Sequence, residues 1–465
     1  MDTDIVSPIT FVRRRDGWLQ AFGDTMQRHR SAIQGIQWAV VAFYLALVIY
    51  PAFRPLPQQD AHIYDNVTLF AQFVFWGIWW PFVMLSMVLM GRLWCGVFCP
   101  EGALTEFASR HGLGRAIPKW MRWGGWPFVA FAMTTVFGQL VSVYEYPKAT
   151  LLVLGGSTVM AVGIGLVYGR GKRVWCRYLC PANGVFALLA RLSPLHFRVD
   201  REAWRRHPAT TKAVDCGPLI NIPRMAGASG CHACGRCSGH RDAVRLAARS
   251  PNREVLTLKT AEVSRWEVLT LVYGVLGIAI GAFQWSASPW FVAVKQAIAG
   301  WLVEHNSFRL LQDNVPWWLL THYPEANDVF SWLDGLLIVF YIGATALVLG
   351  SWILAWLFVA QRILKREALM WRLAYSLTPL AGASVFLGLS MLTVTMLKAE
   401  GMVLAWVTPL RVGLLALALA WSLRLATRLI RTVPVSLSRH LPAAIAVLLA
   451  MSLAPFAWSL QFFVW

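Results

Sequence analysis

WCGVFCPEG, residues 94–102, closes one apolar stretch of the chain, and WCRYLCPANG, residues 175–184, closes another in the same way. Each reads Trp-Cys-x3-Cys-Pro. Two thiols four residues apart share one face of a continuing helix, about 5 to 6 Å apart, so one pair alone leaves coordination positions open. Two pairs brought together supply four thiolates, the number a [4Fe–4S] cluster takes. Pro100 and Pro181 break the helix after the second cysteine, and Gly102 and Gly184 permit close backbone approach. Arg92, Lys172, Arg173 and Arg177 flank the thiols, and positive charge favours thiolate over thiol.

The surrounding chain sets the fold class. Of 465 residues 57% are hydrophobic, gathered in long apolar segments separated by short basic ones, which predicts an all-α polytopic membrane protein. Stretches of about 20 apolar residues can cross a hydrocarbon core of roughly 30 Å. Candidates centre near Val41, Trp79, Val136, Val159, Leu276, Ala346, Phe386, Leu415 and Leu449, which makes about nine transmembrane helices.

The formal charge of +19 does not point to nucleic acid, because the Lys and Arg residues are not spread evenly. If the N-terminus is cytoplasmic, the opposite loops hold only Arg54, Lys148, Lys295, Arg309 and Lys398, and Arg411 lies within a span. The remaining 36 of 42 basic residues are then on the inside, as the positive-inside rule requires. The expected placement is a bacterial inner membrane, with the N-terminus cytoplasmic and Trp465 periplasmic. All eight cysteines fall on the expected cytoplasmic side, where thiols stay reduced and clustered cysteines are metal ligands more often than disulfides.

Four regions follow. Residues 1–33 form a basic cytoplasmic segment, partly helical along the membrane surface. Residues 34–184 form a four-helix membrane repeat of two hairpins, each ending in W-C-x3-C-P, whose cysteine pairs should face each other across a pseudo-two-fold axis. Residues 185–265 form a cytoplasmic iron–sulfur segment. Residues 266–465 hold five helices and an outer interfacial segment, 289–327, with helical periodicity and belt tryptophans.

The cytoplasmic segment carries the second constellation, CHACGRC at residues 231–237 with Cys216 upstream. C-x2-C-x2-C begins a bacterial ferredoxin motif, but the expected fourth Cys-Pro is missing. Cys216 is the natural replacement and His240 a weaker one. The candidate ligands are therefore Cys95, Cys99, Cys176, Cys180, Cys216, Cys231, Cys234 and Cys237, enough for two [4Fe–4S] clusters, with exchange of ligands between the groups left open. A structural zinc on the second group, or copper or zinc on the first, is the competing reading.

These motifs together resemble the membrane-bound polyferredoxin family over about residues 35 to 255. Its members include the quinol-oxidising membrane subunit of periplasmic nitrate reduction, the membrane regulator of nitrous oxide reduction and the copper-handling protein of cytochrome oxidase assembly. VWCRYLCPANGVFALLARLSPLHFRVD and DCGPLINIPRMAGASGCHACGRCSGH are most similar to the iron–sulfur membrane component of bacterial ferrous-iron uptake. The resemblance implies relay of single electrons between the cytoplasm or quinone pool and a periplasmic partner. By the same resemblance the partners are a cupredoxin-like or iron-binding protein and an iron permease. Rival functions are a quinol dehydrogenase feeding a periplasmic reductase and a zinc-stabilised scaffold or transporter.

Clusters at the inner surface would leave much of the membrane to cross. A metal or haem site using His62 or His322, or a quinone or flavin near the outer aromatic segment, is one way to bridge it. Solvated loop histidines are the better reading of those residues, and the crossing then falls to the partner or a mobile quinol. Other residues invite over-reading: Met84, Met87 and Met90 form one helical stripe better read as packing, while Asp334 and Arg411, at similar depth, are expected to pair.

Overall fold

The computed structural model of the protein describes residues 17–58, 60–207, 211 and 213–465. Arg13, Arg14 and Arg15 of the basic N-terminal segment lie outside the described residues. Eight helices are long and apolar enough to cross a membrane: Arg30–Phe53, Val67–Met90, Pro147–Tyr168, Arg265–Ala287, Trp332–Leu364, Leu369–Ala399, Val407–Arg431 and Leu437–Val464. The stretch expected near Val136 is the shorter apolar helix Trp126–Leu140. Its 15 residues extend about 22 Å at 1.5 Å per residue, less than a full hydrocarbon core. The protein is thus all-α and multi-pass, and strands among the described residues are confined to two small two-stranded sheets.

Arg265–Ala287 is the pivot of the bundle, with 72% of its apolar window buried against 17–44% for the other seven spans. Small residues make this possible. A Cβ on Gly277 would lie 2.7 Å from the Ala346 Cα, and one on Gly281 3.1 Å from that of Ile342; in lipid, helices gain by such close backbone approach. Leu271, Leu276 and Ile280 of the pivot share one core with Ile353, Leu380 and Trp458 of later spans.

Neither Trp-Cys-x3-Cys-Pro segment simply continues its span. After Met90 the chain reverses at Gly91, whose φ of 63° suits glycine alone, and re-enters the helical layer. The Trp94 ring lies 5.1 Å from that of Trp79, the thirteenth of the 24 residues of Val67–Met90. Helix Pro100–Arg110 then runs back toward the basic face. Its Glu101 accepts a 2.6 Å hydrogen bond from Ser157, the eleventh of 22 residues in Pro147–Tyr168. Two independent rulers therefore place this segment level with the middle of the spans, deeper than the surface position that charge alone predicts. The second segment joins it there, where the Trp175 indole donates to Glu101 at 3.0 Å.

The hairpins exchange their returning half-helices. Pro100–Arg110 packs on Pro147–Tyr168, with Gly165 against Thr105 and Gly169 against Ser109. Asn183–Ala190 packs on Val67–Met90, and its Val185 and Phe186 share one core with Val83 and Met84. A two-fold relation between the repeats demands this reciprocity. Met84 and Met87 belong to the same apolar core, so their role is packing.

On the basic face, Leu195–Val199 pairs antiparallel with Val244–Ala248, setting Phe197 opposite Leu246. Helix Gly17–Arg28 packs on this sheet through Gly23, beside Leu246 and Phe197, and Asp24 accepts a 2.7 Å bond from Ser238. The N-terminal helix thus covers the cysteine-rich segment. Asp334 and Arg411 do not pair. Asp334 caps helix Trp332–Leu364 through Ser331 and meets Lys295 at 2.5 Å, while the Arg411 guanidinium lies 4.5 Å over the Phe462 ring. Equal depth does not fix which way two side chains point, and the helix N-terminus offers a carboxylate better partners.

A buried charge network fastens the basic-face segment to the bundle. Arg191 donates to Glu254 at 3.2 Å and to Glu267 at 2.6 Å, Arg249 meets Glu254 at 2.7 Å, and Tyr375 donates to Glu267 at 2.7 Å. Removing one member leaves a buried charge uncompensated, which costs about 3 to 5 kcal/mol. Glu254→Ala is expected to lower the thermal unfolding temperature of the detergent-solubilised protein clearly. Glu304→Ala, on the far exposed helix end, should leave it unchanged.

Candidate metal centre

Proline shapes both cysteine turns. A residue before proline is pushed toward extended backbone, and Cys99 has φ −70° and ψ 117°. The helix therefore ends in a wide turn, in which the Cys99 N–H donates to the Trp94 carbonyl at 2.9 Å and the Cys180 N–H to that of Trp175 at 3.0 Å. Both repeats make the same five-residue bond, so the thiol spacing of a continuing α-helix does not apply. The Gly102 N–H points at the Cys99 sulfur, 3.4 Å away, from the first turn of Pro100–Arg110, where the helix dipole favours negative charge.

The eight cysteines fall into two sets. Cys95, Cys99, Cys176 and Cys180 all act on one another electrostatically, as do Cys216, Cys231, Cys234 and Cys237. The charged groups acting on His240 are Arg241 and His207, and its ring lies against Trp204 at 5.3 Å. Cys216 thus acts on the other three thiols of its set, whereas none of them is among the groups acting on His240. None of the eight forms a disulfide.

The sets adjoin at one glycine. A Cβ on Gly96 would lie 2.1 Å from the His232 carbonyl oxygen and 2.9 Å from the Cys234 nitrogen, so only hydrogen fits there. Arg173 bridges the junction. It is 1% exposed, donates to Glu106 at 2.7 Å and to the Cys95 carbonyl at 2.6 Å, and acts on both Cys176 and Cys234. Arg236 holds the other Glu106 oxygen. Arg92, also buried, donates to Asn183 at 2.7 Å and the Ser229 carbonyl at 3.1 Å, and Gln37 donates to the Gly96 carbonyl at 2.8 Å.

Sequence reading singled out Arg92 and Arg173 but missed Glu106, Gln37 and His232. The available signal was a polar residue in a hairpin otherwise built of apolar ones. Nothing local, however, links residues 37, 96, 106 and 232.

The donor set fits an iron–sulfur cluster. Burial pushes the Cys231 thiol up to about 12, with Cys234 adding to the effect, and it raises Cys216 and Cys237 as well. Buried thiolates thus need a cation to compensate them. His232 is held well below the usual imidazole range by burial and by Arg92, Arg173 and Arg177, so it brings no charge of its own. Arg173 Nη2, Arg92 Nε and His232 Nδ1 are buried without partners, so the two guanidinium groups keep unused donors in the region of the thiols. Among the described residues no three His, Cys, Asp or Glu side chains converge as the ligands of a single ion would. Zinc draws its sulfurs to within about 2.3 Å of one point, whereas an iron–sulfur cluster spreads four thiolates over its irons.

The family model described as a 4Fe-4S binding domain matches residues 72–124 and 154–200, which contain both Trp-Cys-x3-Cys-Pro segments. The chain is similar to "Putative electron transport protein YccM" of Escherichia coli, 22% identical over 235 residues that make up 43% of this chain and 62% of that protein. It is also similar to "Regulatory protein NosR" of Pseudomonas aeruginosa, 27% identical over 247 residues, 46% of this chain and 34% of that protein. The chain spans less than two thirds of the length of either relative. No solved structure matches it. These findings support a multi-pass membrane protein that binds an iron–sulfur cluster.

Gly96→Ala drives a methyl into the backbone of the second set. Iron and acid-labile sulfide retained by the anaerobically purified chain should fall by roughly half or more, since four thiolates hold one cluster. Gly343→Ala, with open space around its position, should retain the wild-type content.

Proposed function

We propose that the protein is a membrane relay for single electrons. Cys95, Cys99, Cys176 and Cys180 would hold one [4Fe–4S] cluster, and Cys216, Cys231, Cys234 and Cys237 a second. The observation that supports the reading is the arrangement of the thiols: two groups of four that act on one another, joined backbone to backbone at Gly96 and bridged by Arg173. Such clusters supply reversible one-electron storage over a wide range of potentials set by charge, hydrogen bonding and exposure.

The chain's own groups act on those levers. Arg173 and Arg92 place buried positive charge beside the thiols, and the Gly102 N–H adds a hydrogen bond to sulfur. The half-helices and Trp175 keep water from the first set, and helix Gly17–Arg28 covers the second. Glu106 holds Arg173 and Arg236 in place, so that the cations do not turn away.

The basic face, read as cytoplasmic from the distribution of Lys and Arg, is where electrons would enter or leave the second set. The opposite, periplasmic face would serve a cupredoxin-like or iron-binding partner working with an iron permease in ferrous-iron uptake, a reading that rests on family resemblance. A quinol dehydrogenase is the second reading, favoured by a cavity of about 220 Å³ lined by Trp76, Trp79, Trp80 and Phe131 that begins at Cys99, Cys180 and Glu101.

Metal and sulfide analysis of anaerobically purified protein is the direct test. About eight irons and eight sulfides per chain are expected; zinc without sulfide would establish the scaffold reading in their place. Replacing Cys95 and Cys180 by serine should remove about half of the iron, and so should replacing Cys231 and Cys237. The four changes combined should remove nearly all of it.

A further inference from the structure

We infer that the groove between helix Arg30–Ile49 and half-helix Pro100–Arg110, at the basic end of the bundle, is a binding site for the headgroup of an anionic phospholipid. The two helices pack on each other. Arg30 opens its span. Pro100–Arg110, 11 residues long, starts at mid-span and returns about 15 Å toward the basic face at the helical rise. Arg30 and Arg110 therefore stand level with each other at the end of the spans, where headgroups lie, and they line one recess.

Charge selects an anion. Arg30, Arg110 and Arg236 line the recess together with the carboxylates of Glu106 and Asp215. Each carboxylate already has another cation, since Arg173 lies 2.7 Å from Glu106 and Lys172 lies 2.6 Å from Asp215. Arg236 also reaches Glu106 and, like Arg173, acts on the thiols, so those two serve the cysteine sets. Arg110 reaches Glu106 only at 3.5 Å and is 48% exposed. Arg30, also exposed, pairs with no carboxylate among the described residues. These two guanidinium groups are left for a ligand, and their forked donors match a phosphate.

The inner wall of the recess, Gly96 and Cys234, belongs to the cysteine sets. The ligand is assigned to the outer part, which continues into a cavity of about 40 Å³ lined by Gln34, Trp38, Ala103, Phe107 and Arg110 and by no cysteine. That continuation points to a lipid. Trp38 and Phe107 are 44% and 47% exposed, with their rings edge to face at 5.1 Å. Phe107 lies one turn from Arg110 toward mid-span, and Trp38 about two turns from Arg30, so apolar surface adjoins the arginines on the membrane side. A phospholipid satisfies both parts, its phosphate on the guanidinium groups and its chains along the rings. Basic pockets between spans take anionic headgroups in this way. Arg110 also shares Glu106 with Arg173, so a phosphate held here joins the charge network between the cysteine sets.

The inference does not rest on the relay and stands whether or not the cysteines hold iron. The test is equilibrium binding of phosphatidylglycerol to the full-length protein in detergent, read by native mass spectrometry. Phosphatidylcholine with the same acyl chains is the neutral control and glycerol 3-phosphate the soluble one. Phosphatidylglycerol should bind at least about tenfold tighter than either. Arg30→Gln with Arg110→Gln should weaken it about twentyfold, and Arg30→Gln alone about fivefold. The single change has no ion pair to lose and keeps the test valid if the double variant does not fold. Arg54→Gln, just past the far end of the same span, should bind like the wild type. Equal binding of phosphatidylglycerol and phosphatidylcholine, or binding unaltered in Arg30→Gln and in a folded double variant, overturns the proposal. Glycerol 3-phosphate bound as tightly as phosphatidylglycerol also overturns it, in favour of a site for soluble anions.

Discussion

Backbone that leaves the helix inside a hydrocarbon layer finds no water to bond with, so it must be enclosed by protein. The two Trp-Cys-x3-Cys-Pro turns reach the middle of the spans, and much of the architecture answers to that demand. Each returning half-helix crosses to the other hairpin, so that each repeat roofs its partner's turn. The Trp94 and Trp175 carbonyls are satisfied by the second cysteine's own N–H. The Cys95 and Gly96 carbonyls take side-chain donors from distant helices, Arg173 and Gln37.

The same enclosure explains why so much charge is buried in an apolar protein. Arg92, Arg173, Arg191 and Arg249 are all less than a tenth exposed, and an unpaired cation in such places is costly. Arg191 and Arg249 are neutralised by Glu254 and Glu267. Arg173 meets Glu106, but that carboxylate also serves Arg236, so the junction between the cysteine sets keeps a surplus of positive charge. Four buried thiolates around inorganic iron and sulfide carry net negative charge, which that surplus complements.

Depth alters the problem of crossing the membrane. With the first thiols level with the middle of Val67–Met90 and Pro147–Tyr168, about half of the layer lies between them and the opposite face, and the aromatic cavity occupies that half. Gly96 and Arg173 set the second thiols directly against the first. The chain thus presents a continuous series from the basic face through two thiol sets to an aromatic-lined cavity.

Periodicity and composition are local properties, which is why the spans near Val41, Trp79 and Leu276 were legible before any coordinates, as were the parallel repeat and the eight cysteines. Their grouping was half legible: C-x3-C twice and C-x2-C-x2-C name the members, yet choosing Cys216 over His240 needed to know that His240 lies against Trp204. Asp334 and Arg411 show the limit from the other side, since matching depth along two helices says nothing about rotation around them. Hydropathy and charge by themselves determined a multi-pass helical protein with its thiols toward the basic side. Only the tertiary structure decided that the cysteine turns fold back to mid-span, that Gly96 is the seam between the sets, and that an aromatic cavity stands beyond them. Those outcomes depend on contacts between separate elements, such as Ser157 with Glu101 and Gly96 with His232, and no local pattern encodes them.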